Sequence, residues 1–280
     1  VSGSECESIV NEIVDDTISN ITASDLRDKE FTADILTRMG KTVVAAANTA
    51  VRSIACGSFK TEAYEKEVYI PIGKDIEVGG IIDRLDVCHH DGINEYRSID
   101  YKTGNKAFKV ADIYHGIDMQ PVIYALAMRM LDPKAKISGL YYSLMHNDYP
   151  TIDVTSKDST AYSQIKKNTA FEGVTFAGTD INGDYIVADL DRVESPLERE
   201  DGSLFFKMKG DDIVADKRIK SYSDGENLMG YVRDKILETD KEIKSGNIDI
   251  SPIASGMASA CSCCPDVSVC NVDNPVPRTI

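Results

Sequence analysis

Two carboxylates and one ammonium stand close together in this chain, in the order Asp83, Asp100, Lys102. Asp83 lies in Gly80-Ile81-Ile82-Asp83-Arg84-Leu85-Asp86, and the other two lie in Ser98-Ile99-Asp100-Tyr101-Lys102. A hard divalent cation takes oxygen ligands, and a bound cation lowers the pKa of a coordinated water. Two acids beside a cationic donor therefore suit metal-dependent hydrolysis of a phosphodiester.

Both runs read as β-strands. Alternating residues on a strand share a face, so Ile81, Asp83, Leu85 and Val87 are expected to point one way, with Asp83 a charge in an apolar row. Asp100 and Lys102 share a face, and Tyr101 turns away. His89-His90-Asp91-Gly92 separates the runs, and Asp-Gly is a hairpin signal. Folding there makes the runs antiparallel neighbours and gathers Asp83, Asp100 and Lys102. Arg84 and Asp86 fall on the opposite face, where a structural salt bridge is their expected role. The two histidines at the turn are expected to face solvent.

Flanking elements follow from periodicity. Ile9, Val10, Ile13, Val14 and Ile18 mark one face of a helix over 4–18. Phe31, Ile35, Leu36, Met39, Val43, Ala47, Val51 and Ile54 mark a longer one. Tyr64–Pro71 reads as a strand carrying Glu67. After Lys102, Asp112–His115 reads as one helical turn. Asp118 is placed to cap a helix running to about Leu131, with Pro121 in its first turn. Gln120 and Tyr124, four apart, share a face of that helix. Ile137–Leu144 is apolar and β-prone. Glu226–Lys244 reads as an amphipathic helix ended by Gly246.

Three regions are expected. Residues 1–147 form the core, and 222–280 form a C-terminal helix and cysteine cluster packing back on it. Residues 148–221, polar and without a catalytic constellation, read as an insertion or peripheral subdomain. It carries a helix at Ala161–Ala170, short strands at Tyr185–Leu190 and Leu204–Met208, and the basic residues Lys207, Lys209, Lys217, Arg218 and Lys220.

At 280 residues the chain can bury a full core. An apolar content of 42% and a mean hydropathy of -0.23 fit a soluble, cytoplasmic protein. No apolar run reaches membrane-span length and no signal peptide is visible. The chain opens at Val1 within a helical pattern and reads as a piece of something longer. A net charge of -15 runs against a nucleic-acid surface, because phosphate binding favours basic ones. Acids serving as metal ligands, a local basic groove or a partner's grip on DNA would reconcile the two. Of seven cysteines, Cys261, Cys263, Cys264 and Cys270 crowd the last twenty residues. An odd count without a secretory signal favours metal or iron–sulfur ligation over disulfides, with zinc the competing occupant. No Walker phosphate loop occurs, so an ATP motor is expected elsewhere.

The ordered set Gly80-x-Ile82-Asp83-Arg84-Leu85-Asp86, Ile99-Asp100-Tyr101-Lys102-Thr103-Gly104, Gln120-x-x-x-Tyr124 and Cys261-x-x-Cys264-x5-Cys270 resembles the RecB-like branch of the PD-(D/E)XK nucleases. It is most similar to the C-terminal nuclease of the AddB family, from about Phe59 to the last cysteine. Gly139-x-Tyr141-Tyr142-Ser143-Leu144 and Gly246-x-Ile248-x3-Pro252 extend the likeness. The resemblance implies an α/β fold of the restriction-endonuclease-like kind, a mixed central sheet flanked by helices. It implies a Mg²⁺- or Mn²⁺-dependent exonuclease acting on DNA ends, in a heterodimer with an AddA-type helicase–nuclease.

On that reading Asp83 and Asp100 hold metal, Glu67 has a supporting place, and a backbone carbonyl near Tyr101 helps. Lys102 orients water or stabilises developing charge, and Gln120 and Tyr124 position the strand. A solvated carboxylate beside Lys66 is the other reading of Glu67. Cys261, Cys264 and Cys270 are implied to be three ligands of a [4Fe–4S] cluster whose fourth lies upstream in the relatives, with Cys6 and Cys56 as stand-ins. The relatives' early-helix metal histidine has no counterpart, the first His being His89. Alternatives are a stand-alone phage or CRISPR-associated exonuclease, and a non-catalytic scaffold. The intact Asp/Asp-x-Lys set counts against the scaffold.

Overall fold

Helices α1 (Gly3–Thr22) and α2 (Lys29–Ala55) form where expected and pack on each other, but Ile9, Ile13, Ile35, Met39 and Val43 of the expected apolar faces are exposed. Three strands then form an antiparallel meander: β1 (Lys60–Pro71), β2 (Glu77–His90) and β3 (Ile93–Lys102). Strand β2 ends at His90 and β3 begins at Ile93, with Gly92 in the connection. Their ladder closes on His90↔Ile93, and Gly92 takes φ of 73°, a left-handed conformation that glycine adopts without a steric penalty. A crossover through α3 (Val110–Tyr114) and α4 (Gln120–Leu131) lays β4 (Lys136–Leu144) parallel to β3.

Strand β5 (Glu172–Thr179) pairs antiparallel with β4 and with the short β6 (Tyr185–Ile186). Strands β7 (Met208–Lys209) and β8 (Asp212–Ile213) pair with each other, and β9 (Ile219–Ser221) runs parallel to β5. Helix α5 (Tyr222–Lys244) starts at a capping box. Ser221 accepts from the Asp224 amide, and the Asp224 carboxylate accepts from the Ser221 amide. A small hairpin of β10 (Ala254–Ser255) and β11 (Ala258–Ser259) precedes α6 (Val267–Cys270).

This computed structural model describes residues 3–22, 29–55, 58–90, 92–104, 106–145, 171–179, 185–186, 208–209, 212–213, 219–249, 254–255, 258–259, 261 and 264–270. The expected helix at 161–170, most of the strands expected over 185–190 and 204–208, and Cys56, Lys207, Lys217, Arg218 and Cys263 lie outside them.

The sheet order β1-β2-β3-β4-β5-β6, with β9 alongside β5, makes a mixed sheet flanked by helices, as the fold class requires. Three of its strands, β5, β6 and β9, come from the stretch read as peripheral. Strand β5 escapes the periodicity reading for a physical reason. Val174, Thr175, Phe176 and Ala177 are all buried, so both faces are covered and the two-residue period disappears.

One face of the sheet packs under α4 and α5, where Val68, Ile82, Leu85, Tyr124, Met128, Leu140, Phe176 and Val232 share one apolar cluster. A second core carries charge. Arg84 and Asp86 pair as expected, with Nη2 to Oδ2 at 2.7 Å, and Arg97 Nε reaches the same oxygen at 2.9 Å. The Ser53 hydroxyl of α2 accepts from Arg84 at 2.9 Å, and the Arg97 guanidinium lies 4.3 Å from the Phe59 ring centroid. This buried network fastens α2 to β2 and β3, the strands that carry the candidate site.

Candidate active site

The β2–β3 ladder runs out at Arg84↔Ile99, and Asp83 and Asp100 are the next residues beyond it. Asp83 bridges this frayed end with its side chain, its Oδ2 accepting the Tyr101 amide at 2.7 Å. The expected alternation of Ile81, Asp83, Leu85 and Val87 fails at this point. Ile81 is 46% exposed, whereas the fully buried Ile82 joins Leu85 in the apolar cluster. The inward face therefore changes parity across Asp83, although the β1–β2 register steps evenly there. Opposite, on β1, Glu65 falls between the rungs Tyr64↔Arg84 and Lys66↔Ile82 and takes φ of 48°, uncommon outside glycine. Asp83 is thus half-buried where the row changes face, and no charge has to sit inside a continuous apolar row.

Asp100 is buried, and its Oδ2 meets Lys102 Nζ in an ion pair while taking no directional hydrogen bond. Burial pushes the Asp100 carboxyl above its ordinary range. The Lys102 ammonium opposes that, and the Asp83 charge adds to it. From Lys102 a chain of polar contacts leads back to the sheet. Lys102 Nζ donates to Gln120 Oε1 at 3.1 Å, Gln120 Nε2 donates to the Tyr124 hydroxyl at 2.7 Å, and that hydroxyl donates to the Ile81 carbonyl. Gln120 and Tyr124 are one turn apart at the start of α4, so their contact follows from helical spacing. Burial raises the Tyr124 phenol, and the charges of Asp100, Asp83 and Glu65 raise it further against the Gln120 hydrogen bond. Gly80 makes this docking possible: a Cβ there would stand 2.9 Å from Tyr124 Cε1.

The structure thus gathers Asp83, Asp100, Lys102, Gln120 and Tyr124 at one end of the hairpin. Glu67 pairs with Ile81 on β1 and is exposed, while Glu65 is the β1 carboxylate whose charge acts on Tyr124. His89, exposed, contacts Asn94 at 2.6 Å across the turn and stands apart from this group.

Behind these residues lies a set of contacts that sequence reasoning missed. Asp118 does not cap α4. The N-cap is Met119, with no side-chain hydrogen bond, and Asp118 is drawn instead to Lys106 Nζ at 2.9 Å and the Tyr142 hydroxyl at 2.5 Å. Tyr142 pairs with Asp100 in the parallel β3–β4 register, and its ring centroid lies 5.3 Å from Lys102 Nζ. The signal for it was the Gly-x-Tyr-Tyr strand after a crossover, since a parallel return sets β4 directly beside Asp-x-Lys.

Among the described residues, no group of three or more His, Cys, Asp and Glu side chains is arranged to hold a metal ion. Asp83 and Asp100 alone still suit a hard cation that keeps several waters, one that would share the Asp100 carboxylate with the Lys102 ammonium. Of the three predicted cluster ligands, Cys261 and Cys264 are half-buried on one turn, with the Cys264 amide donating to the Cys261 carbonyl at 3.2 Å. Cys270 closes α6, and its side chain lies outside the described residues.

Several curated proteins, each named as a subunit of an ATP-dependent helicase/deoxyribonuclease, are similar to this chain. That of Clostridium kluyveri is 23% identical over 97% of the chain, that of Clostridium acetobutylicum 26% over 96%, and that of Thermoanaerobacter sp. (strain X514) 25% over 96%. Each match covers 24% of the relative, so the chain spans about a quarter of the length of these proteins. A family model, that of the PD-(D/E)XK nuclease superfamily, matches residues 1–271. With that match running from the first helix past the last cysteine, and with the mixed sheet carrying Asp83, Asp100 and Lys102 at one hairpin end, this chain belongs to the PD-(D/E)XK nuclease superfamily.

Proposed function

We propose that this chain is the metal-dependent DNA exonuclease domain of an AddAB-type helicase–nuclease, working with an AddA-type partner as double-strand-break ends are processed for recombination. One observation carries the reading. Two carboxylates and the Asp100-paired ammonium of Lys102 converge, and Lys102 is fixed through Gln120 and Tyr124 to the strand that bears Asp83. The shared name of the relatives supports both the deoxyribonuclease activity and the helicase setting.

Asp83 and Asp100 would hold Mg²⁺ or Mn²⁺. When bound, such an ion lowers the pKa of a coordinated water and screens the attacked phosphate. Lys102 presents its ammonium beside Asp100, where charge develops on the phosphate oxygens. It remains 21% exposed, open to substrate. Gln120 holds that ammonium in place, and Tyr124 ties Gln120 to β2, so donor and acids move as one unit. Calorimetric titration of the full-length protein with Mg²⁺ or Mn²⁺ tests the reading. Wild type is expected to bind and an Asp83→Asn/Asp100→Asn variant to bind neither. A silent wild type rules out the metal-dependent mechanism.

Cys261, Cys264 and Cys270 are proposed as three ligands of a [4Fe–4S] cluster completed by a further thiol. The Cys261–Cys264 turn, with both thiols half-buried, supports it. Anaerobically prepared full-length protein is expected to contain iron and acid-labile sulfide. Zinc without sulfide would replace the cluster with a structural zinc site.

A further inference from the structure

We infer that Lys106 is a second DNA-contact residue, whose ammonium takes the phosphate next to the one attacked at Lys102. The inference rests on the nuclease reading above. Lys106 is 41% exposed, yet its ammonium is held 2.9 Å from Oδ2 of Asp118, a largely buried carboxylate. The same Oδ2 accepts from the buried Tyr142 hydroxyl, so Asp118 is fixed from behind and cannot follow a wandering side chain. Lys106 Nζ lies 5.2 Å from the Tyr142 ring centroid and Lys102 Nζ lies 5.3 Å from it, so two ammoniums share one aromatic neighbour. That ring stands on the strand position paired with Asp100. The charge of Lys106 acts on the Asp100 carboxyl in the same sense as that of Lys102.

An ammonium has three donor hydrogens, and one carboxylate oxygen occupies one of them. The exposed side of Lys106 therefore keeps donors for an anion. A chain of net charge -15 with two acids at its centre repels a polyanion, and it needs cations placed at the site itself. An ammonium is a point charge without a shaped fork, so it suits a backbone phosphate and leaves base sequence unread.

The test compares wild type, Lys106→Gln and Lys106→Arg in the full-length protein with its partner, cutting a single-stranded oligonucleotide over a range of salt. Lys106→Gln is expected to raise KM about tenfold with kcat nearly unchanged. The slope of log kcat/KM against log salt becomes shallower by about 0.7, the loss of one single-strand phosphate contact. Lys106→Arg restores both. An unchanged salt slope in Lys106→Gln, with or without a lower melting temperature, reduces Lys106 to a structural partner of Asp118 and overturns the inference while the nuclease reading stands. A wild type that cuts no DNA with either metal overturns both.

Discussion

Asp100→Asn is expected to slow DNA cleavage about a thousandfold or more while leaving the melting temperature unchanged or higher. The substitution keeps the shape of the side chain and removes its charge. That charge would bind the metal, and it pairs with Lys102. Metal-assisted stabilisation of a phosphoryl transition state is worth several kcal/mol, and about 4 kcal/mol corresponds to a thousandfold in rate. Stability moves the other way because Asp100 is buried and its carboxyl is raised above the ordinary 3.8. An acid whose folded pKa is raised binds its proton more tightly when folded. The metal-free protein therefore loses stability as pH rises from the unfolded value through the raised one. A neutral amide escapes that loss. Single-turnover cleavage and a thermal melt on the same samples decide the matter. A rate within tenfold of wild type removes Asp100 from the chemistry. A collapsed melt with lost activity would instead make it a folding residue.

Much of this arrangement was legible because it is local. The Asp-Gly signal in the sequence implies a tight connection, and the His90↔Ile93 pair that closes the ladder fixes which residues of β2 and β3 meet. Spacing of four put Gln120 and Tyr124 on one face of α4, and a helix cannot separate them. What escaped is set by contacts distant in the chain. Strict alternation could not foresee the change of face at Asp83, which coincides with the left-handed Glu65 on a neighbouring strand. Asp118 looked like a helix cap because cap chemistry is local. It is occupied by Lys106 and Tyr142, and Tyr142 arrives only once β4 has returned parallel to β3. Strand β5 hid for the opposite reason, since complete burial removes the polar half of its pattern. Family motifs located the Asp/Asp-x-Lys set without that geometry, but they say nothing about how Lys102 is held.

The buried charges on the other side of the sheet give the largest expected loss of stability. Asp86→Ala should destabilise the fold by about 3–5 kcal/mol, because it removes the buried carboxylate that the guanidiniums of Arg84 and Arg97 share. Asp86 is fully buried. It takes Arg84 Nε at 2.8 Å on Oδ1 and Arg84 Nη2 at 2.7 Å on Oδ2, with Arg97 and Thr61 completing its set. Burial by itself would raise its carboxyl. The hydrogen bonds from Arg84 and the charges of both arginines outweigh that and hold it below 3.8. The sign of the pH dependence follows. A depressed folded pKa contributes stability that is complete above the unfolded value and is lost as pH falls through the depressed one. Acid unfolding of wild type should therefore steepen below about pH 3.8, and Asp86→Ala should lack that component. Urea unfolding of the chain at neutral and acid pH measures both effects. The decisive comparison removes all three charges together, as Arg84→Met/Asp86→Leu/Arg97→Met. Apolar replacement of a whole buried ion triad is often neutral or stabilising, so the triple variant should be more stable than Asp86→Ala alone. Equal losses in both would mean that α2 is held by the specific hydrogen bonds to Ser53 and not by the balance of charge.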